Sequence, residues 1–501
     1  MRRFMFALLC AAVVLGLTTT ALGKLSDEQF NDLKKRIGSG LLKNPGSVKS
    51  DVKDFAGDNS ARAVKFLVNI NRRALDDMDA VLMIQNALNS MGSDEARSEI
   101  IKSVDKAADY RMRIILIEVC ERFSGDEVSR ALVGCIDDRN EKVAISAARA
   151  LGNKGSLDAI EPLIAQMEKM AKKKKDGERL YSDIRRALEK ITGQRDLIEA
   201  QDWRNWYNAN KDKIVPGAPG ADGRSETARP VIGDAKTVSF FGLEIDSRRI
   251  IFVIDVSGSM EIPDPPPENW VPDSDLGKGK GTTIKEDDPT LKKKKQKEQE
   301  KMKDPSVWGE KRKRIVRTKN ELIRVLKVLQ GSVKFNIIAF SDEIRSFNKS
   351  LQKATASTKS KAVKWVEKLS ASGLTFTDDA LREAFKDGQS RPGSGRGDSN
   401  SGGKGHRTSS DSPRRSSSSQ GEADTIILLS DGAPTHMGGD AKAEWNGHQD
   451  SQAIIDSIFN WLEKENKFRK IVIHTLGFTG ANFEFMQKLA KETGGTFREI
   501  K

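Results

Sequence analysis

The stretch Ile250-Ile251-Phe252-Val253-Ile254-Asp255-Val256-Ser257-Gly258-Ser259 decides the fold of the second half of this 501-residue chain. Its first five residues are apolar and mostly β-branched, which is typical of a strand. The polar residues that follow predict the loop at the carboxyl end of that strand. Because ligands of parallel sheets sit at the carboxyl ends of the strands, we expect functional side chains in this loop.

Similar apolar runs recur downstream and alternate with amphipathic helical patterns. The predicted strands are residues 250–254, 333–340, 425–429, 471–476 and 496–500. The predicted helices are residues 315–329, 361–369, 378–385, 453–462 and 483–490. Strands and helices that alternate at this spacing predict βαβ units, so the fold class is α/β with a doubly wound, mainly parallel sheet.

Two further loops place oxygen-bearing side chains beside a predicted strand or helix. The three loops are Asp255-Val256-Ser257-Gly258-Ser259, Ser372-Gly373-Leu374-Thr375 and Ser430-Asp431-Gly432. Together they resemble the metal-ion-dependent adhesion site of von Willebrand factor type A domains. The resemblance covers about residues 236–501 and implies the same Rossmann-like fold.

The resemblance also implies a metal site. In the family pattern, the hydroxyls that match Ser257, Ser259 and Thr375 bind the metal directly. The carboxylates that match Asp255 and Asp431 bind through water or support the ligands. Such oxygen ligands suit Mg²⁺, with Mn²⁺ or Ca²⁺ as substitutes. Neutral hydroxyls cancel only part of the ion's charge, so its open position favours a carboxylate from a protein partner.

Alternatives remain at this site. Thr377 competes with Thr375, although only Thr375 follows the glycine at the family's spacing. Phe376 stands where a small or polar residue is more usual. If the loops were mere turns, the fold would stand without a metal.

The expected function is therefore non-enzymatic, metal-dependent adhesion or scaffolding. The rival is a hydrolase with Ser257 or Ser259 as the nucleophile, which needs a nearby base. The chain has 4 histidines. Of these, His436 and His448 follow Asp431 and could reach the strand ends. No Gly-x-Ser-x-Gly motif surrounds either serine, which disfavours the hydrolase.

Two insertions interrupt the α/β domain. Residues 261–312 follow the first motif directly and could be a lid, a partner-binding arm or slack. Residues 388–421 contain 11 Ser and 8 Gly, so they cannot bury enough apolar surface to order themselves and are expected to be disordered.

The first 213 residues carry a different pattern. Residues 1–23 have the charge, apolar core and small-residue cleavage site of a signal peptide, so we expect an exported protein; a buried helix or an uncleaved anchor is the alternative. Residues 24–213 are predicted to be helical, and their apolar spacing resembles HEAT repeats, which are protein-binding scaffolds. An irregular helical domain is the alternative. Residues 214–235 are rich in Pro and Gly and are predicted to form a linker.

The cysteine content and the net charge further limit the classes of protein to which this chain can belong. Three cysteines exclude a disulfide scaffold, and Cys120 and Cys135 are either paired or simply buried. With 85 Lys and Arg against 72 Asp and Glu, the net charge is +13. This charge motivates a second hypothesis, a basic envelope protein that binds anionic polymers without a metal. Nucleic acid is disfavoured because the chain carries no recognised nucleic-acid motif.

Overall fold

The computed structural model describes residues 24–195, 197–214, 238–265, 309–387, 423–435 and 451–500. The predicted signal peptide 1–23 and the insertion 388–421 therefore lie outside the described residues. The insertion 261–312 is described only at its two ends, and the linker 214–235 only at residue 214. The chain divides into two compact units at the junction between Ala159 and Ile160.

The first unit consists of helices over its described residues. They are α1 (Asp27–Lys43), α2 (Lys49–Gly57), α3 (Ala61–Val68), α4 (Met78–Ser90), α5 (Asp94–Ser103), α6 (Tyr110–Cys120), α7 (Asp126–Gly134) and α8 (Glu141–Lys154). Their ends follow local chemistry: Ser26 caps α1 in a capping box, and Gly155 ends α8 with a φ of 64°. The all-helical prediction is confirmed, and the region is consistent with helical repeats. Cys120 and Cys135 are buried and not disulfide-bonded.

The second unit begins with three more helices, α9 (Ile160–Lys172), α10 (Arg179–Thr192) and α11 (Ala200–Asn210). Helix α10 belongs with the sheet because it bonds to the segment that leads into it. Ser182 Oγ donates to the Asp246 carbonyl at 3.0 Å, and Arg186 Nη2 to the Asp246 carboxylate at 2.8 Å. The compact unit thus includes helices from the predicted repeat domain 24–213, whose boundaries stay a prediction.

The strands of the second unit are β1 (Val238–Phe240), β2 (Leu243–Ile245), β3 (Arg249–Asp255), β4 (Lys334–Phe340), β5 (Ile344–Ser346), β6 (Gln352–Lys353), β7 (Thr425–Ser430), β8 (Val472–Phe478) and β9 (Phe497–Ile500). Strands β1 and β2 form an antiparallel hairpin. The main sheet has the order β5-β4-β3-β7-β8-β9, with β6 also paired to β4. The pairs from β4 to β9 along this order are parallel, and only β5 and β6 pair antiparallel.

Both faces of the sheet are covered by apolar packing. Ile250, Phe252 and Ile254 of β3 pack on one face with α12 (Arg314–Val328) and α13 (Ala356–Glu367). Ile251 and Val253 pack on the other face with α14 (Thr377–Asp387), α15 (Ser451–Asn466) and α16 (Phe483–Thr493). Each fully buried side chain of this size stabilises the fold by about 1.5–3 kcal/mol. The predicted doubly wound, mainly parallel sheet is confirmed.

The strand order also locates the crevice where a ligand would bind. From β3 the chain continues to β4 on one side, whereas from β7 it continues to β8 on the other. The direction of winding therefore reverses between β3 and β7. In open α/β sheets the ligand crevice lies at the carboxyl ends of the strands at this point. Among the described residues, no helix is long and apolar enough to span a membrane.

Candidate metal centre

The five predicted site residues all lie at the carboxyl ends of β3 and β7 or in the loop before α14. Asp255 is the last residue of β3, and Ser257 and Ser259 lie in the turn that follows. Thr375 precedes α14, and Asp431 directly follows β7. The fold therefore brings together residues up to 176 positions apart in the sequence, as 431 − 255 = 176.

Hydrogen bonds link four of the five residues in a continuous chain. The Ser257 amide donates to Asp255 Oδ1 at 2.8 Å, and the Ser257 and Ser259 hydroxyl oxygens are 3.1 Å apart. Ser259 Oγ then donates to Asp431 Oδ1 at 2.6 Å. The hydroxyls thus satisfy each other and a carboxylate, in an arrangement that also turns their oxygens toward one another.

Backbone contacts hold the Thr375 loop against the other two loops. The Gly258 amide donates to the Gly373 carbonyl at 2.9 Å. Thr375 and Thr435 exchange two bonds: the Thr375 amide donates to Thr435 Oγ1 at 2.9 Å, and the Thr435 amide to the Thr375 carbonyl at 3.0 Å. A Cβ at Gly432 would lie 3.3 Å from Thr375 Oγ1. Thr375 therefore lies directly beside the Asp431 loop.

Gly373 is required by its backbone conformation. Its φ is +80°, in the region that favours glycine. A side chain there would also collide with the Asp342 carboxylate. The glycine before Thr375 thus lets this loop approach the turn after β3.

The electrostatics of the site are dominated by two buried carboxylates. Asp255 is 0% exposed and Asp431 3%. Burial and then the nearby Asp431 carboxylate raise the pKa of Asp255 to about 6, against hydrogen bonds from Ser257 and Ser430. Ser430 Oγ donates to Asp255 Oδ2 at 2.5 Å. Among the described residues Asp255 has no ion-pair partner, so the pair of carboxylates is short of positive charge.

These residues fit a small, hard cation. All the donors are oxygens, three from hydroxyls and two from carboxylates, which suits Mg²⁺ rather than metals that prefer thiolate or imidazole. Over the described parts of the chain, no three His, Cys, Asp or Glu side chains cluster as a metal site. Because burial and the Asp431 carboxylate raise the pKa of Asp255, added positive charge would stabilise the ionised pair of Asp255 and Asp431. Binding of a metal by these five residues stays a prediction.

The structure also places Thr377 and Phe376, the two residues that left alternatives open in the sequence. Thr377 is the first residue of α14 and is 1% exposed, and its hydroxyl has no hydrogen-bond partner in the described structure. Phe376 is half-buried, and its amide donates to the Ser341 carbonyl at 3.1 Å. Both residues follow Thr375 without displacing it from the Asp431 loop.

The one histidine among the described residues, His474, is not placed to act as a base for the serines. His474 lies within β8, where its Nδ1 accepts from the Thr496 amide at 3.0 Å. Burial, and then Arg186, lower the pKa of His474 to about 3. His406, His436 and His448 lie outside the described residues. The absence of enzymatic activity stays a prediction.

Two further residues contact the site: Ser430, which the sequence analysis placed in the third loop without a role, and Arg314, which it did not identify. Ser430 bonds Asp255, and its position just before Asp431 was the available signal. Arg314 Nη1 donates to Asp431 Oδ2 at 2.7 Å. No local pattern marks Arg314, because it follows a long insertion and meets Asp431 only in the folded chain.

Solved structures with detectable similarity are distant. A von Willebrand factor type A protein from Catenulispora acidiphila is 14% identical over 52% of this chain and 40% of its own, with a TM-score of 0.28. The conserved hypothetical protein BatB from Bacteroides thetaiotaomicron is 14% identical over 50% of this chain and 89% of its own, with a TM-score of 0.25. The PilB minor pilin from Streptococcus sanguinis is 17% identical over 51% and 58%, with a TM-score of 0.27.

The chain thus spans 40% of the Catenulispora structure, and none of these likenesses is close enough to assign a function. No curated protein matches the chain.

A family model gives the stronger result. The model of the von Willebrand factor type A domain matches residues 315–498, which run from α12 to β9. The match begins after the first insertion and so omits β3, although β3 is one of the two central strands of the same sheet. The carboxy-terminal part of this chain is a von Willebrand factor type A domain, preceded by an all-helical region.

Proposed function

We propose that the α/β domain is a metal-dependent protein-binding module in an exported, non-enzymatic adhesion or scaffolding protein. A Mg²⁺-type ion, with Mn²⁺ or Ca²⁺ as substitutes, would be held by Asp255, Ser257, Ser259, Thr375 and Asp431. The partner is a protein that supplies a carboxylate to the ion. The observation that carries this proposal is the hydrogen-bonded chain from Asp255 to Asp431 at the switch point of the sheet.

The chemistry of the donors supports a binding role. The hydroxyls of Ser257, Ser259 and Thr375 are neutral, so only Asp255 and Asp431 contribute negative charge. A divalent ion held by such a set keeps attraction for a further anion, and Mg²⁺ takes oxygen ligands in near-octahedral geometry. When bound, the metal supplies Lewis acidity toward the partner's carboxylate. The protein's part is to hold the five oxygens in place and to leave one side open.

The openness of the site supports the same role. Gly258, Ser372, Gly373 and Leu374 are exposed beside the site residues, four of which are buried. Leu374 is 41% exposed, which is unusual for a large apolar side chain in this protein. A partner could therefore reach the centre over the loops of Gly258 and Gly373.

The first test measures Mg²⁺ binding to the full chain by titration calorimetry. We expect the wild type to bind one Mg²⁺ and the double variant Asp255→Ala with Ser257→Ala to bind none. The matched control is Asp456→Ala with Ser350→Ala, two exposed positions away from the site. Equal Mg²⁺ affinity in the site variant and in the wild type would refute the site.

The second test separates the rival functions. Retention of the protein on a polyglutamate resin that persists in EDTA but is lost at moderate salt would favour the anionic-polymer hypothesis. Hydrolysis of a simple ester that disappears in Ser257→Ala would favour the hydrolase. Capture of a partner with Mg²⁺ that is lost in EDTA and in the double variant supports the proposed module.

A further inference from the structure

Arg314 is a buried cation in direct contact with the candidate metal centre. It is the first residue of α12, and its side chain is 10% exposed. Its Nη1 donates to Asp431 Oδ2 at 2.7 Å, and its Nη2 donates to the Thr479 carbonyl at 2.6 Å. The other oxygen of Asp431 accepts from Ser259. Arg314 therefore binds the side of Asp431 that is turned away from the hydroxyls.

The backbone on both sides of the first insertion fixes the position of Arg314. The Arg314 amide donates to the Ile262 carbonyl at 3.2 Å, and the Asp264 amide donates to the Arg312 carbonyl at 2.8 Å. Pro263 and Lys313 form an antiparallel bridge between these bonds. The turn after Ser259 and the start of α12 are thus one paired segment, and Arg314 enters the site from it.

Asp264 is a second carboxylate near Arg314, but it does not compete with Asp431 for the charge of Arg314. The Asp264 side chain is 1% exposed and forms its close ion pair with Arg317. Its distances to Arg314 Nε and to Arg312 Nη2 are both 4.0 Å. Because Asp264 has its own partner, Arg314 neutralises Asp431.

The formal charge of the centre then follows from three residues. Asp255 and Asp431 contribute −2 and Arg314 contributes +1, which sum to −1; a divalent ion changes the sum to −1 + 2 = +1. Without Arg314, the sums would be −2 and 0. Arg314 therefore opposes the entry of a cation and leaves the loaded centre attractive to an anion.

We propose that Arg314 is the positioning residue that sets the charge of this centre: it holds the outer oxygen of Asp431, weakens metal binding and strengthens binding of the partner's carboxylate. This inference rests on the proposed function. In this role Arg314 lowers the affinity of the centre for the metal and raises the affinity of the metal-loaded centre for an anion.

The test compares Mg²⁺ affinities of full-length variants by titration calorimetry. Arg314→Gln removes the charge and keeps a donor toward Asp431, whereas Arg314→Lys keeps the charge. Arg312→Gln is the matched control, because Arg312 lies in the same paired segment and bonds the Asp264 and Pro265 carbonyls instead of Asp431. We expect Arg314→Gln to bind Mg²⁺ about tenfold more tightly than the wild type, and the other two variants to match the wild type.

The direction of the change separates a charge effect from structural damage. Damage to the site would weaken Mg²⁺ binding, whereas loss of an opposing charge strengthens it. Acetate serves as a probe of the partner's carboxylate, and it should tighten Mg²⁺ binding to the wild type more than to Arg314→Gln. Unchanged or weaker Mg²⁺ binding by a folded Arg314→Gln variant would overturn the inference.

The failure of the inference is distinguishable from that of the proposed function. Binding of Mg²⁺ by the wild type with no gain in Arg314→Gln overturns only the role of Arg314. No binding by the wild type but binding by Arg314→Gln supports the role of Arg314, and no binding by either overturns both. If Arg314→Gln does not fold, Arg314→Lys decides: wild-type affinity supports the charge role, and any large change contradicts it.

Discussion

Two buried clusters of charged side chains lie in the sheet-containing unit, and they are balanced differently. In the cluster near α10, Asp246 pairs with Arg186 at 2.8 Å and with Arg185 at 3.5 Å. Burial would raise the pKa of Asp246, but Arg186 and the neighbouring arginines outweigh it and lower the pKa. At the carboxyl ends of the strands, burial and Asp431 raise the pKa of Asp255 to about 6.

The difference shows that burial of charge does not by itself mark a functional site. The α10 cluster contains its own counterions, including the buried pair of Arg179 and Asp183 at 2.7 Å, and so joins a helix to the sheet. Among the residues that the structure describes, the strand-end cluster has one cation, Arg314, for two carboxylates. We therefore expect a metal at the strand-end cluster, which is short of positive charge, and not at the α10 cluster.

The largest expected effect comes from removing a counterion in the balanced cluster. Asp246→Asn removes the carboxylate that pairs with both Arg186 and Arg185, and breaking such a pair inside the protein typically costs about 3–5 kcal/mol of folding free energy. All 7 tryptophans follow residue 159, so tryptophan fluorescence during urea unfolding reports on the second unit. The control is Glu492→Gln, which breaks an exposed pair with Lys488 and should cost less than about 1 kcal/mol. Equal stability of the two variants would contradict the structural role of the cluster.

His474 makes the same cluster sensitive to acid. Its pKa is lowered from 6.5 to about 3, so below pH 6.5 the unfolded chain takes up a proton that the folded chain refuses. Its contribution to stability is complete above pH 6.5 and is lost as the pH falls toward 3, by about 1.4 kcal/mol per unit.

His474→Asn keeps an acceptor for the Thr496 amide and removes this titration. Unfolding free energies are compared between pH 7 and 4.5 in EDTA. A variant that loses stability as steeply as the wild type would show that His474 is not the cause.

Most of the α/β fold was predictable because its central strands are buried on both faces. The predicted strands 250–254 and 425–429 are apolar apart from Thr425, and they lie in β3 and β7. The β1–β2 hairpin was not predicted, because its strands have three residues each and its turn places Phe241 at a φ of 48°. A bulky residue at positive φ gives no turn signal, and here it is held by packing against Phe478.

The loops that carry the site residues were predictable from the sequence, whereas the ion pair that sets the charge of the site was not. Asp255, Ser257 and Ser259 share one short motif, so their proximity follows from local geometry. The contact of Arg314 with Asp431 spans 117 residues and depends on where α12 begins after the insertion. Long-range ion pairs of this kind leave no periodicity or spacing in the sequence.

The smallest expected effect is on the strand-end cluster, where removing a carboxylate should stabilise the fold, whereas removing Asp246 from the α10 cluster should destabilise it. In metal-free protein above pH 6, Asp255 is ionised next to Asp431 at a cost, because its folded pKa of about 6 exceeds the ordinary 3.8. Asp255→Asn removes that repulsion and keeps the acceptor for the Ser257 amide, and the Ser430 hydroxyl can turn to accept from the new amide. We therefore expect the variant to be more stable than the wild type by about 2 kcal/mol at pH 8 in EDTA.

With Mg²⁺ added, the order reverses, because only the wild type gains stability from the ion. The control is Asp456→Asn, an exposed position of α15 whose stability should not change under either condition. A loss of stability in EDTA on Asp255→Asn would mean that the carboxylate is structural, like Asp246. If Asp255→Asn is more stable than the wild type in EDTA and its stability does not respond to Mg²⁺, the fold tolerates the negative charge of Asp255 because a metal compensates it.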